Sequence, residues 1–160
     1  KPVSLASVPD IRWARRDIKT TNLLGQVMAK QAAHDAGAYE ALMIDGDGFV
    51  TEAGSSSFFF IKDNIIYVRP VSNEILHGIT RQTMLRVAAA HQLRIVETIY
   101  TLDQAKQADE AFITAASIYV MPVGQIDDVQ IGDGQTGAIT ATLRAAYLDI
   151  ARAEFPSLDK

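Results

Sequence analysis

Two apolar runs, Phe58-Phe59-Phe60-Ile61 and Ile65-Ile66-Tyr67-Val68, flank Asp63-Asn64. Aromatic and β-branched residues in short runs around an Asx pair predict two strands joined by a tight turn. The same grammar occurs upstream. Ala41-Leu42-Met43-Ile44 leads into Asp45-Gly46-Asp47-Gly48, a strong turn signal, and Phe49-Val50-Thr51 returns as strand. Strands and helices alternate without a clean βαβ rhythm, and the successive hairpins predict a mixed sheet with packed helices.

Helical spacing appears on both sides of these hairpins. Val8 before Pro9 marks an extended opening to about Arg12. Thr20-Thr21-Asn22 offers N-caps, with Leu23, Leu24, Val27, Met28, Ala32 and Ala33 at helical spacing up to Gly37. A second helix is predicted from Ile79, with Met84, Leu85, Val87 and Ala88 on its buried side. Leu93 to Thr98 reads as strand, and Thr101-Leu102-Asp103-Gln104 as a capping box opening a short helix. Ala111 to Thr114 is a buried strand. Ile118 to Met121 is another apolar run, which Pro122 is expected to interrupt before Val123 to Ile126. A last helix carries Ile139, Leu143, Ala146, Tyr147, Ile150 and Ala151 on one face. With no internal linker, the 160 residues read as one α/β domain.

Composition narrows the function classes. A net charge of −4 with scattered basic residues argues against nucleic acid as the partner. The densest basic cluster is Arg12, Arg15, Arg16 and Lys19. No apolar run reaches the length of a membrane span. The absence of cysteine excludes disulfides, thiolate metal sites and a cysteine nucleophile, and fits a cytoplasmic protein. His34, His77 and His91 lack metal-ligand spacing, and Asp45-Gly46-Asp47-Gly48 lacks the later ligands of a calcium loop, so no metal is expected.

Four features carry possible chemistry, each with a plain structural alternative. Lys19, by itself one more solvated lysine, precedes a predicted helix start; against apolar surface it becomes a usable amine nucleophile. Glu52 ends a strand before Ala53-Gly54-Ser55-Ser56-Ser57; it reads either as a loop acid or as a partner for a protonated ring nitrogen. The serines form a run too short for a flexible linker. Gly78-Ile79-Thr80 opens a helix, which is either an ordinary start capped by Thr80 or a phosphate-binding N-terminus. Thr114-Ala115-Ala116-Ser117 follows a buried strand, where small residues make a tight turn or let backbone approach a ligand.

Taken in order, these segments resemble one family. Asp17-Ile18-Lys19-Thr20-Thr21-Asn22-Leu23-Leu24, continuing through Val27-Met28-Ala29-Lys30-Gln31, is similar to the lysine motif of D-amino-acid aminotransferases. Ala38-Tyr39-Glu40-Ala41, Asp47 to Glu52, Ser55 to Ser57, Ile75 to Arg81, Ala108 to Phe112, Pro122-Val123 with Ile126-Asp127, and Gly132-Asp133-Gly134 follow in the family's order. The resemblance is to class IV of the pyridoxal-phosphate aminotransferases, whose relatives include branched-chain aminotransferases and aminodeoxychorismate lyase.

The resemblance implies a fold-type-IV large C-terminal domain, with a curved, barrel-like mixed sheet and packed helices. The implied cofactor is pyridoxal 5'-phosphate and the implied partners are an amino acid and a 2-oxo acid, usually in a homodimer. The implied reaction moves an amino group between a D-amino acid, such as D-alanine, and a 2-oxo acid. The L-branched-chain and lyase reactions are the alternatives. Lys19 matches the lysine that forms a Schiff base with the cofactor and moves the proton at Cα. Glu52 matches the acid on the pyridine nitrogen, and Leu76 a residue packed on the ring. Gly78, Ile79 and Thr80 match the phosphate-binding helix start. Ala115 and Ala116 stand where Ser or Thr is common beside the phosphate, so only backbone N–H groups are available there; Ser57 stands where Asn is common. The family's small N-terminal domain, which supplies a phosphate-binding Arg, is absent from these residues. The chain is therefore expected to be a trimmed part of a longer enzyme, with inactivity of the short chain as the alternative.

Overall fold

In the computed structural model, residues 1–154 are described. The element order is β1 (Val3–Pro9), α1 (Leu24–Asp35), β2 (Glu40–Ile44), β3 (Val50–Ala53), β4 (Ser57–Lys62), β5 (Ile65–Val68), α2 (Ile79–Ala90), β6 (Arg94–Glu97), α3 (Leu102–Lys106), β7 (Glu110–Ala115), β8 (Tyr119–Ile126), β9 (Val129–Gln130) and α4 (Ala138–Glu154). The strands form one mixed sheet in the order β3-β2-β1-β8-β7-β4-β5-β6, with β9 on β8. β1 is parallel to both β2 and β8, and β5 to β6. The β2–β3, β4–β5, β4–β7 and β7–β8 pairs are antiparallel.

The predicted hairpins form as the turn chemistry requires. Asp63 and Asn64 both take positive φ, at 51° and 59°. That conformation suits a two-residue turn whose twist matches the strands, and Asx side chains tolerate it. Phe59, Phe60, Ile61 and Lys62 then register against Val68, Tyr67, Ile66 and Ile65.

Side-chain alternation along β4 divides the interior. Phe58 and Phe60 enter one core with Leu5, Leu42, Val50, Tyr100, Ile113 and Ile126. Phe59 and Ile61 turn to the opposite face and pack with Met84, Val87 and Ala88 of α2 and Leu143 of α4. Ala6, Val8, Ala41 and Met43 meet Ala29 and Ala33 of α1. Aromatic contacts bind each side. Phe59 stacks on its cross-strand partner Phe112 at 4.8 Å, and Phe60 meets Tyr100 edge-on at 4.9 Å.

The sheet curls until its ends meet. The Val50 N–H donates to Tyr100 O at 3.0 Å, and Phe49 forms a bridge with Thr101. The first core is thus enclosed by a partial barrel, and Ala105 of α3 packs into it. The capping box at α3 forms with both of its bonds.

Two local expectations need correction. The first helix does not start at Thr20-Thr21-Asn22. It begins at Leu24, with Leu23 at the N-cap and no side-chain cap. Pro122 does not interrupt its strand; β8 runs unbroken from Tyr119 to Ile126. The ladder to β1 begins only at Val123, so Pro122 lies where one edge of β8 is free and a missing N–H costs little.

Candidate active site

Glu52 lies on β3, 6 % exposed. A buried carboxylate needs hydrogen-bond donors, and the chain supplies two to one oxygen. Arg12 Nη1 donates to Oε1 at 2.5 Å, and the Leu76 N–H donates to the same oxygen at 3.1 Å. The Leu76 contact brings two of the expected residues together. Burial pushes the Glu52 carboxyl up, and the Arg12 charge and hydrogen bond with the Leu76 N–H offset this only in part, so its pKa stays above the ordinary value.

Arg12 is itself held by Asp10, at the end of β1. Arg12 Nε and Nη2 donate to Asp10 Oδ1 at 2.9 Å and Oδ2 at 2.7 Å. Thr51 Oγ1 donates to Oδ2 at 2.7 Å, and Arg16 Nε stands 3.2 Å from it. Burial raises the Asp10 pKa, but Arg12, Thr51 and Arg16 outweigh it and leave it below the ordinary value. Close packing makes room for this cluster. A Cβ on Gly25 would lie 3.0 Å from Arg12 Cγ and 3.3 Å from its Cα, so glycine lets the start of α1 approach Arg12 without displacing it.

These contacts fix the first half of the segment from Asp10 to Leu23. The Arg16 N–H donates to Asn73 O at 2.9 Å, tying it to the stretch before Leu76. Lys19 comes three residues later. It is exposed and makes no hydrogen bond or ion pair with any described residue. The expectation of a lysine against apolar surface at a helix start is therefore corrected: neighbouring Ile18 is also exposed, at 43 %, and α1 starts five residues on.

The start of α2 forms the second part of the site. Gly78 is the N-cap, in an extended conformation with no side-chain cap, so Thr80 does not act as one. The Ile79 and Thr80 N–H groups find no acceptor among the described residues. Thr80 is buried and Ile79 is 81 % exposed. A Cβ on Gly78 would sit 3.3 Å from Ser57 Oγ. Ser57 pairs across the sheet with Thr114, whose buried hydroxyl has no partner among the described residues. Ala115 and Ala116 follow, so the β7–β8 turn and the start of α2 share one neighbourhood. Tyr119, opposite Ala115, takes φ of 57°, a strained value for an aromatic residue. The serine run is structured: Ser55 Oγ donates to buried Glu40 Oε2 at 2.8 Å, and Ser57 begins β4.

Arg12 and Asp10 are functional candidates that the sequence reading passed over. Their signal was the Asp10-Ile11-Arg12 spacing, which in extended chain puts both side chains on one side. Two concavities lie elsewhere: a polar one of about 320 Å³ around Gly124 and Gln130, and a groove of about 540 Å³ between α2 and α4. Neither is lined by a candidate residue.

Comparison with known proteins places the chain in a family. The chain is 41% identical over 140 residues to the D-alanine aminotransferase of Listeria monocytogenes serotype 4b (strain F2365), covering 88% of this chain and 48% of that protein. It is 45% identical over 138 residues to the D-alanine aminotransferase of Staphylococcus epidermidis (strain ATCC 12228 / FDA PCI 1200), covering 86% and 49%. The chain thus spans about half the length of the curated relatives it matches. A T.th. branched-chain amino acid aminotransferase, solved with pyridoxamine 5'-phosphate, superposes with a TM-score of 0.87 at 32% identity, over 97% of this chain and 53% of that one. The sequence pattern of the family described as amino-transferase class IV matches residues 3–126. A curled mixed sheet, a buried acid at its closing edge and these matches agree: the chain belongs to the class IV aminotransferases.

Proposed function

We propose that this chain is the large C-terminal domain of a pyridoxal-phosphate-dependent aminotransferase that exchanges an amino group between a D-amino acid, such as D-alanine, and a 2-oxo acid. The observation that carries this reading is Glu52. One of its oxygens is saturated by Arg12 and Leu76, and the other accepts no hydrogen bond from a described residue. Such an acid suits a protonated heteroaromatic nitrogen. The open N–H groups of Ile79 and Thr80 suit a phosphate, so the residues fit the cofactor's two polar ends.

When bound, pyridoxal phosphate supplies an electron-poor ring that accepts the electrons of the substrate's Cα–H bond. The chain supplies the rest. Glu52 holds the ring nitrogen protonated. Gly78, Ile79 and Thr80 receive the phosphate, with Ala115 and Ala116 adding backbone N–H groups only. Leu76, fixed to Glu52 through its own N–H, packs on the ring. Lys19 anchors the cofactor through Nζ and carries the proton at Cα, acting as both acid and base. Its freedom from other partners suits a group that must be released in each half-reaction.

The assembly is proposed to be a cytoplasmic homodimer. Trp13, Leu24, Val27 and Met28 are each more than half exposed, a set that a second copy can cover. No helix among the described residues is long and apolar enough to cross a membrane.

The test is optical and then kinetic. Added pyridoxal phosphate should give a visible absorption band that Lys19→Ala abolishes. A band that persists in the variant removes Lys19 from its role; no band at all means that this chain is not a working site by itself. D-alanine should then turn over faster than L-leucine or aminodeoxychorismate. The likeness to the T.th. branched-chain enzyme favours L-leucine as the second reading, and faster turnover of L-leucine would overturn the choice of D-alanine.

A further inference from the structure

Asp10 has no proposed contact with cofactor or substrate, yet its carboxylate is the most heavily partnered group near Glu52. Its side chain is fully buried. It accepts from the Arg12 backbone N–H at 3.2 Å, from Arg12 Nε and Nη2, and from Thr51 Oγ1. A guanidinium is a rigid planar fork. With the Nε and Nη2 edge fixed on Asp10, the plane is set and Nη1 remains for another acceptor. That acceptor is Glu52 Oε1. The Leu76 N–H then fills the same oxygen. Glu52 Oε2 receives nothing from the described residues and, unlike the sealed hydroxyls of Ser56 and Thr114, is not enclosed in the interior.

We propose that Asp10 is a positioning residue: by locking Arg12 it keeps Glu52 Oε1 occupied, so that Oε2 alone is presented to the ring nitrogen of the cofactor. This rests on the proposed contact between Glu52 and that nitrogen. One oxygen in one orientation gives the nitrogen a single, directional acceptor. A loose Arg12 leaves both oxygens in exchange between the guanidinium and the ring.

A double-mutant cycle tests this, since residues that act through one another are not additive. Wild type, Asp10→Asn, Glu52→Gln and the double variant are titrated with pyridoxal phosphate. Each is also loaded with cofactor ¹⁵N-labelled at the ring nitrogen, whose chemical shift reports protonation. Asp10→Asn should weaken binding about tenfold and move the shift toward the neutral ring; in the Glu52→Gln background it should weaken binding less than twofold. Asp10→Glu, which keeps the charge, should return the shift toward wild type. Equal loss in both backgrounds, or an unchanged ¹⁵N shift in Asp10→Asn, overturns the proposal. If Glu52→Gln alone changes neither affinity nor shift, the ring contact itself is wrong, and that result is distinct from failure of Asp10. Should Asp10→Asn not fold, Thr51→Val removes one of Asp10's donors and is run through the same cycle, with a smaller change in the same direction expected.

Discussion

The two halves of the segment from Asp10 to Leu23 are built on opposite principles. Between Asp10 and Arg16 three side chains are locked: the buried Asp10 carboxylate, Arg12 and Arg16 gather with Thr51, and a backbone bond reaches Asn73. From Ile18 to Leu23 the side chains face outward, Lys19 has no partner among the described residues, and the apolar Ile18 and Leu23 are exposed. On the function proposed above, Glu52, held through Arg12, would have to stay fixed against a cofactor ring and Lys19 would have to move, and the two ends of this fourteen-residue segment suit those opposite demands.

Five substitutions can break or sharpen that contrast. Arg12→Ala should have the largest effect, leaving buried Glu52 without a cation and Asp10 with only Arg16 and Thr51, and lowering unfolding free energy by about 3–5 kcal/mol, as read by urea denaturation. The two acids should next separate by pH. Asp10, with a lowered pKa, contributes stability that is full above the unfolded value near pH 4 and is lost as pH falls through its folded value. Glu52, with a raised pKa, has the opposite sign: its contribution is most favourable at low pH and diminishes as pH rises from about 4 through its folded value. Stability against pH should therefore climb more steeply just above pH 4 in Glu52→Gln, and fall less between about pH 4 and 2 in Asp10→Asn, than in wild type.

A smaller loss, about 1 kcal/mol, is expected for Gly25→Ala, since the clash with Arg12 Cγ and Cα exceeds the gain in helix propensity. Thermal melts in which this variant proved more stable than wild type would show that Arg12 gives way easily. Lys19→Ala should cost about 0.5 kcal/mol or less while abolishing the visible band. A stability loss comparable to that of Arg12→Ala would erase the distinction between the two halves.

Local chemistry made much of the fold legible. Asp63-Asn64 specified a hairpin because few residue pairs accept two positive φ values, and Thr101 with Gln104 specified a cap because both bonds form within four residues. Thr20, Thr21 and Asn22 are good caps by type, yet α1 starts after Leu23, where Gly25 packs against Arg12, a contact that residue type alone does not announce. Glu52 and Leu76 could be named from their segments, whereas the ion pair that orients Glu52 joins residues forty apart. Pro122 was read by its general habit; only the register, with β1 joining at Val123, shows why the strand continues.

That register also governs how the chain comes together in time. β1 is made before the other strands of this sheet and sits between β2 and β8, and its Ser7 donates to Asp127, 120 residues further on. At typical synthesis rates of 5–20 residues per second the gap is on the order of 10 s. During that wait β1 can pair with β2 and α1 can cover them, but its other edge is an open row of donors and acceptors. The sheet closes when its last long strand emerges, so correct assembly is set late, by a loop closure of high contact order. Slowing synthesis before β8, or diluting the nascent chains, should change the yield of folded protein more than it changes the stability of the finished molecule.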